Sequence, residues 1–268
     1  MTPIRLTPGD LALAATLLIV AAALSYRHHL ELERSLAIAA VRMVVQLLLV
    51  GIVLKFVFEQ TSLWTTVAVA LAMVTFAGYE ATNRVNAPSL RWRLWGLGTG
   101  TLLVVGLLAT FFAVVVVIGP EPWHAPRYLL PILGMVLGNA LTAVSLVTQT
   151  MATIAVRDRR AIDGQLALGA SRYKALSAPT REALRTGLTP IINAMAVSGV
   201  VSLPGMMTGQ VIAGVDPIEA AKYQIVIMFV LSGAVALAAY AGAIGAVSLL
   251  TDNRHRLRLD RLGDDRSR

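Results

Sequence analysis

The chain has 268 residues, of which 56% are hydrophobic and only 14% charged, with a mean hydropathy of +0.70 and a formal net charge of +8. A soluble domain carries roughly 25% charged residues, so this chain lacks the polar surface to remain in water. It has no cysteine, which excludes disulfides and thiolate metal ligands.

Apolar stretches long enough to cross ~30 Å of hydrocarbon, about 20 residues as helix, recur along the chain. Seven are expected, at 10–26, 36–58, 63–80, 95–118, 128–151, 187–203 and 223–250. The expected fold is therefore all-α, a polytopic helical membrane protein. One transmembrane domain covers 1–252, and a basic tail at 253–268 reads as disordered from its composition.

In the first stretch, "AAA" at 21–23 fits a signal-cleavage site. Arg5 is offset by Asp10, however, and the stronger basic cluster follows rather than precedes the apolar run, so the stretch reads as an uncleaved span. The second span carries Arg42 and Gln46, four residues apart on one face. A charge at the bilayer centre is costly. Arg42 either lies in the bundle interior or snorkels to the headgroups, about 9 Å away along the helix.

The fifth span contains "GMVLGNAL", where Gly134 and Gly138 make a face for close helix contact. Asn139 beside them suits an interhelical hydrogen bond or a substrate contact.

A long polar segment follows at 157–186. Interruptions are expected at Gly164 and Gly169, Ser171 reads as an N-cap, and Pro179 as the opening of the next helix. Ile162, Leu166, Leu168, Ala170 and Leu176 give it an apolar side that points to a docking surface for another protein.

The stretch "SLPGMMTGQVIAG" at 202–214 breaks the sixth apolar run. Pro204 removes a helix hydrogen bond, and Gly205 and Gly209 permit unusual dihedrals or tight approach. Such breaks at membrane depth build transporter sites or tight outer turns. Met206, Met207 and Gln210 accordingly stand either as packing or as part of a substrate path. Next, Asp216-Pro217-Ile218-Glu219 carries an N-cap acid, a first-turn proline and a capping-box glutamate, so a new helix starts there.

The charges sort the loops. Of 23 lysines and arginines, 18 fall at 27–34, 81–93, 157–186 and beyond 251; the alternate segments hold only Arg5, Lys55, Arg127 and Lys222, and Arg42 lies within a span. This positive-inside asymmetry predicts an outer N-terminus and a cytoplasmic C-terminus. The net charge thus reads as topology, with some attraction to anionic lipid, and not as a nucleic-acid footprint. No lysine follows a glycine, so a nucleotide-binding P-loop is absent, as are zinc-protease and serine-hydrolase signatures. An enzyme embedded in the membrane is disfavoured. A secondary transporter or channel remains a rival, although Glu80, beside Arg84, is the nearest approach to an intramembrane relay.

The blocks "VRMVVQLLLVGIVLKFVF", "GMVLGNAL", "LALGAS" and "VSLPGMMTGQVIAGVDPIEAAKYQIVIMF" together resemble the FetB-like family of ABC-transporter membrane subunits, over about residues 40–230. Bacterial members are described as iron exporters and plant relatives are linked to aluminium tolerance. The resemblance implies a multi-pass permease of the inner (plasma) membrane, working as a homodimer with two copies of a separate ATPase. That partner holds ATP and magnesium, and this chain binds no cofactor.

It also implies that 157–186 is the coupling segment, with Leu168, Gly169, Ala170, Ser171, Arg172 and Lys174 entering a groove of the ATPase. The acidic residue usual three positions before the leucine is Gln165 here, with Asp163 nearby. Arg42, Gln46, Asn139, Met206, Met207 and Gln210 become candidate substrate-path residues, with Pro204, Gly205 and Gly209 as the hinge. Substrate and direction stay open, and no metal ligand set is assigned.

Overall fold

A computed structural model describes residues 7–60, 62–83, 91–252 and 254–262. Most of the loop at 81–93, including Arg84, and the end of the tail at 263–268 lie outside the described residues. Where composition suggests one domain over 1–252, the chain's contacts divide it into two compact units, Met1–Thr61 and Ser62–Arg268.

The first unit is a helical hairpin. Helix α1, Pro8–Arg27, opens on a capping box: Thr7 Oγ1 accepts the Asp10 N–H at 3.3 Å and Asp10 accepts the Thr7 N–H at 2.7 Å. Ser25 near its end donates to Glu33 at 3.1 Å, tying it to α2, Glu33–Gln60. Nearly the whole apolar surface of both helices is exposed.

The second unit contains α3, Leu63–Asn83, and α4, Arg91–Phe111, which continues as a π-helical segment, Phe112–Ile118, closed by a left-handed Gly119. Then come α5, Pro126–Arg157, the short α6, Arg159–Ala167, and α7, Arg172–Ala175. The chain continues through α8, Ser177–Val197, α9, Gly205–Ile212, and α10, Pro217–Leu250.

Helix α5 is the centre of this unit and packs on α3, α4, α8 and α10. Its buried positions Leu133, Val136, Ala140, Val144, Val147 and Met151 recur every three or four residues, the period of an inward face. Small residues let helices approach closely where hydrocarbon surrounds them. At Gly187 on α8 an added Cβ would lie 2.5 Å from Val147 and 3.1 Å from the Ala143 carbonyl oxygen.

Helix directions follow from the same contacts. The connection through α6 and α7 is short, so α8 starts at the end where α5 stops, and the two helices pack antiparallel. Met195 of α8 meets Ser232 of α10, while Leu184 lies beside Ala243 and Val247, so α8 is also antiparallel to α10. Helices α5 and α10 therefore run the same way, and α8 carries the chain back between them.

Among the described residues, six helices are long and apolar enough to cross a membrane: Gly9–Arg27, Glu33–Gln60, Leu63–Asn83, Trp92–Ile118, Pro126–Arg157 and Pro217–Leu250. The molecule is a polytopic helical membrane protein. The span expected at 187–203 is corrected. Helix α8 begins ten residues earlier, carries Arg181, Glu182 and Arg185 in its first half, and ends at Val197. Its apolar part, 187–197, rises only about 16 Å.

Beyond α10 the chain folds back. Thr251 pairs with Leu257 in an isolated antiparallel bridge, and Leu257, Leu259 and Leu262 pack against the core. Asp252 organises this turn by accepting the Arg254 and Arg256 N–H groups, each at 2.9 Å. The described part of the tail, 254–262, is thus ordered, in contrast to the disorder its composition suggests. Apolar residues spaced through a basic run supply the anchors.

Candidate functional site

Two short capped turns occupy opposite ends of the second unit. The first joins α6 to α7. Gly169 takes a left-handed φ of +86°, the Ala170 N–H donates to the Gln165 carbonyl at 3.0 Å, and the Gly169 N–H donates to that of Leu166 at 3.0 Å. This is a Schellman cap, which needs a residue without a Cβ at its left-handed position. Ser171 then caps α7, its hydroxyl accepting the Lys174 N–H at 3.4 Å.

Within the Schellman turn Leu168 is 90% exposed, a large aliphatic side chain held outward on a fixed backbone. Ala170, Arg172 and Lys174 follow directly. The Arg172 guanidinium lies 5.2 Å from the Tyr173 ring centroid, and the Arg172 N–H donates to His255 Nδ1 at 3.3 Å, tying the folded-back tail to this turn.

Three sequence readings of this segment change. Gly164 lies inside α6 and breaks nothing. Pro179 is the third residue of α8 and not its first. The apolar side assigned to an outside partner is mostly turned inward: Ile162 and Leu176 are buried in the core, and Leu166 packs against it. Leu168 alone of the large residues faces out, because only it sits at the cap where the helix face has ended. Asp163 pairs with Arg159 at 3.5 Å.

The second turn lies at the other end. Ser198 to Pro204 leave α8 through a left-handed Gly199, whose N–H donates to the Ser202 carbonyl at 2.9 Å, and Pro204 is the N-cap of α9. Gly205 and Gly209 are ordinary helical residues of α9, with open space where a Cβ would be. The conformational break therefore sits at Gly199 and Gly214, not at the two glycines singled out as a hinge.

Gly214, at φ +93°, closes α9 with the same cap as Gly169: the Val215 N–H donates to the Gln210 carbonyl and the Gly214 N–H to that of Val211, both at 3.0 Å. Helix α10 then starts as expected at Asp216, whose carboxylate accepts the Ile218 and Glu219 N–H groups at 2.9 and 3.2 Å. Glu219 pairs with Lys222 at 2.7 Å.

Met206 is partly buried against the core, and Met207 is half-buried. Gln210 Oε1 is buried and has no hydrogen-bond partner among the described residues, and the same holds for Gln224 Oε1 on α10, in a side chain only 9% exposed. Helices α9 and α10 pack on each other. A buried acceptor left without a donor costs about 1–3 kcal/mol, so these two amide oxygens are available to a ligand's donor or cation. Gln224 lies within an apolar run and its polarity is a legible signal; the sequence reading passed over it.

Asn139 stands apart from this group. Asn139 is exposed and donates within its own helix to the Met135 carbonyl at 2.9 Å, rather than between helices. Gly134 approaches Met73 of α3, whereas Gly138 faces open space. Arg42 and Gln46 are exposed on α2, in the first unit. Among the described residues no group of three or more His, Cys, Asp or Glu could hold a metal ion.

The model of an uncharacterised protein family, UPF0014, matches residues 8–249. The chain belongs to the UPF0014 family. It is 39% identical to "UPF0014 membrane protein slr1647" of Synechocystis over 231 residues, 85% of this chain and 87% of that one. It is 30% identical over 253 residues to "Probable iron export permease protein FetB" of Escherichia coli, covering 94% and 95% of the two chains. To "Protein ALUMINUM SENSITIVE 3" of Arabidopsis thaliana it is 32% identical over 223 residues, 83% and 80%. No solved structure matches. The resemblance carried by the "VSLPGMMTGQ" and neighbouring blocks is thus a family membership, and it covers both capped turns of this UPF0014 chain.

Proposed function

We propose that this chain is the membrane-spanning permease subunit of an ABC transporter that moves iron or another metal out of the cell, powered by a separate ATPase. The observation that carries the proposal is the α6–α7 turn. A leucine 90% exposed, held within a Schellman turn and followed by a serine N-cap, Arg172 and Lys174, is a shape for insertion into a partner's groove. The cycle is alternating access. Closure of two ATPase subunits moves the α6–α7 turn of each of two permease copies, and α5 and α8 transmit the motion to α9 and the Gly199–Gly214 break.

Metal as cargo follows from the FetB relative, and the outer end supplies candidate contacts in the Gln210 and Gln224 amide oxygens and the Met206 and Met207 thioethers. Oxygen donors suit a hard cation and thioethers a soft one. The mixed set fits a chelated metal or an organic cation as well as a bare ion, which is the second reading of the same site. The positive-inside charge pattern supports a cytoplasmic α6–α7 turn in the inner membrane.

The test is reconstitution of the permease with its ATPase in liposomes, titrating iron against other divalent ions while following internal metal. Metal-stimulated ATPase activity with metal movement, both lost in Leu168→Asp, is the expected result. ATPase activity that ignores the permease overturns the proposal.

A further inference from the structure

A groove that the transport reading does not use runs between the start of α8 and the last turns of α10. Its volume is about 330 Å³. Tyr173 and Arg181 form one rim, and Leu184, Ala243, Ile244 and Val247 form an aliphatic floor. The polarity is graded along the helices: Arg181 lies toward the end of the bundle, and Leu184 one turn further in. Ile244 and Val247 are six and three residues before Leu250, so the floor lies about 9 and 4.5 Å inside the end of a span-length helix. A cationic group one helical turn from an aliphatic lining matches a headgroup followed by an acyl chain.

The rim is cationic and unsatisfied. No described carboxylate pairs with Arg181; Glu182 beside it is 3.8 Å from Arg157 instead. Ser177 and Thr180 also line the groove, but their hydroxyls already donate to the Lys174 and Leu176 carbonyls at 2.8 Å each. The donors left for a ligand are the Arg181 guanidinium and the Tyr173 hydroxyl. A planar guanidinium with a neighbouring hydroxyl suits a phosphodiester. A small anion would leave the aliphatic floor uncovered.

We propose that this groove binds one anionic phospholipid, its phosphodiester on Arg181 and Tyr173 and one acyl chain along Leu184, Ile244 and Val247. The bound lipid joins α8 to α10 directly behind the α6–α7 turn. The inference holds whatever the cargo, since it uses none of the residues at the outer break.

The test is native mass spectrometry of the full chain released from detergent with phosphatidylglycerol or phosphatidylcholine of identical acyl chains. One phosphatidylglycerol per chain is expected to stay bound while phosphatidylcholine is lost. Arg181→Gln should weaken retention roughly tenfold, the value of one charge-assisted hydrogen bond. Tyr173→Phe, which deletes a single hydroxyl, should weaken it less and covers the case of an unstable arginine variant. Arg159→Gln, on α6 and away from the groove, should change nothing. Equal retention of phosphatidylcholine, unchanged retention in both groove variants, or displacement by equimolar glycerol 3-phosphate would overturn the proposal.

Discussion

The α6–α7 turn and the α9 turn use one backbone device for different chemistry. Each ends a short helix with a left-handed glycine and a Schellman pair of hydrogen bonds, Gly169 in one and Gly214 in the other. Around Gly169 the residues are charged, and one leucine projects from a polar surface. Around Gly214 no residue of α9 is charged, and the polar atoms, Gln210 and Gln224 Oε1, point into the protein without partners. The cap stops the helix; the neighbouring side chains decide whether the stop presents a contact outward or holds polar atoms inward. A turn that must be gripped by another protein needs the first arrangement. A turn that must change shape around a passing solute needs the second.

The largest expected effect separates the two ends by function. Gly169→Val and Gly214→Val each force a β-branched residue into left-handed backbone, at a similar cost of about 1–2 kcal/mol. Gly169→Val should abolish coupled transport and co-purification of the ATPase while membrane insertion continues. Gly214→Val should slow transport but leave ATPase association intact. Identical loss of association in both variants would show that the ends are not specialised.

A smaller effect sharpens the account of the α9 end. Replacing Gln224 by leucine removes a buried amide that has no partner, so thermal stability should stay level or rise by about 1 kcal/mol while transport falls. If stability drops instead, Gln224 has a structural partner and the polar-atom argument fails. Met206→Ala, at a partly buried position, should lower stability by about 1 kcal/mol. Transport measured alongside distinguishes a packing role, with activity kept, from a place in the path.

The smallest effect belongs to the tail, which is tied to the α6–α7 turn through His255. Hydrogen bonding from the Arg256 N–H first, then from the Arg254 N–H and the Arg256 guanidinium, holds the Asp252 carboxyl below its ordinary range against an opposing effect of burial. A carboxyl depressed in the folded state contributes above its unfolded value near about 4, and the contribution fades as pH falls through the lower folded value. Protection of the Arg254 and Arg256 amides, measured against their intrinsic exchange rates, should therefore fall on acidification below about pH 4, while Gln210 and Val211 in α9 show no matching change. A matching fall at both ends would point to global loosening rather than loss of this one anchor.

The sequence by itself determined the solvent and most of the elements. A chain with 14% charge must spend its apolar surface on lipid, and runs of about 20 residues read directly as helices. Local signals with local causes were equally legible: Ser171 and Asp216 cap where expected because a cap needs only its own oxygen and the next few N–H groups. What depended on distant residues was not legible. Whether Ile162 and Leu176 face a partner or the protein's own core depends on where α5 and α10 lie. That Asn139 bonds within its helix, that the tail packs, and that Gln224 is stranded among apolar neighbours are also facts of packing. The sequence around 187–203 shows enough apolar residues for a span, but only the tertiary arrangement reveals that α8 begins ten residues earlier with an exposed charged half and that the chain turns at Gly199. Hydropathy records how much of a segment avoids water; packing decides what that segment touches instead.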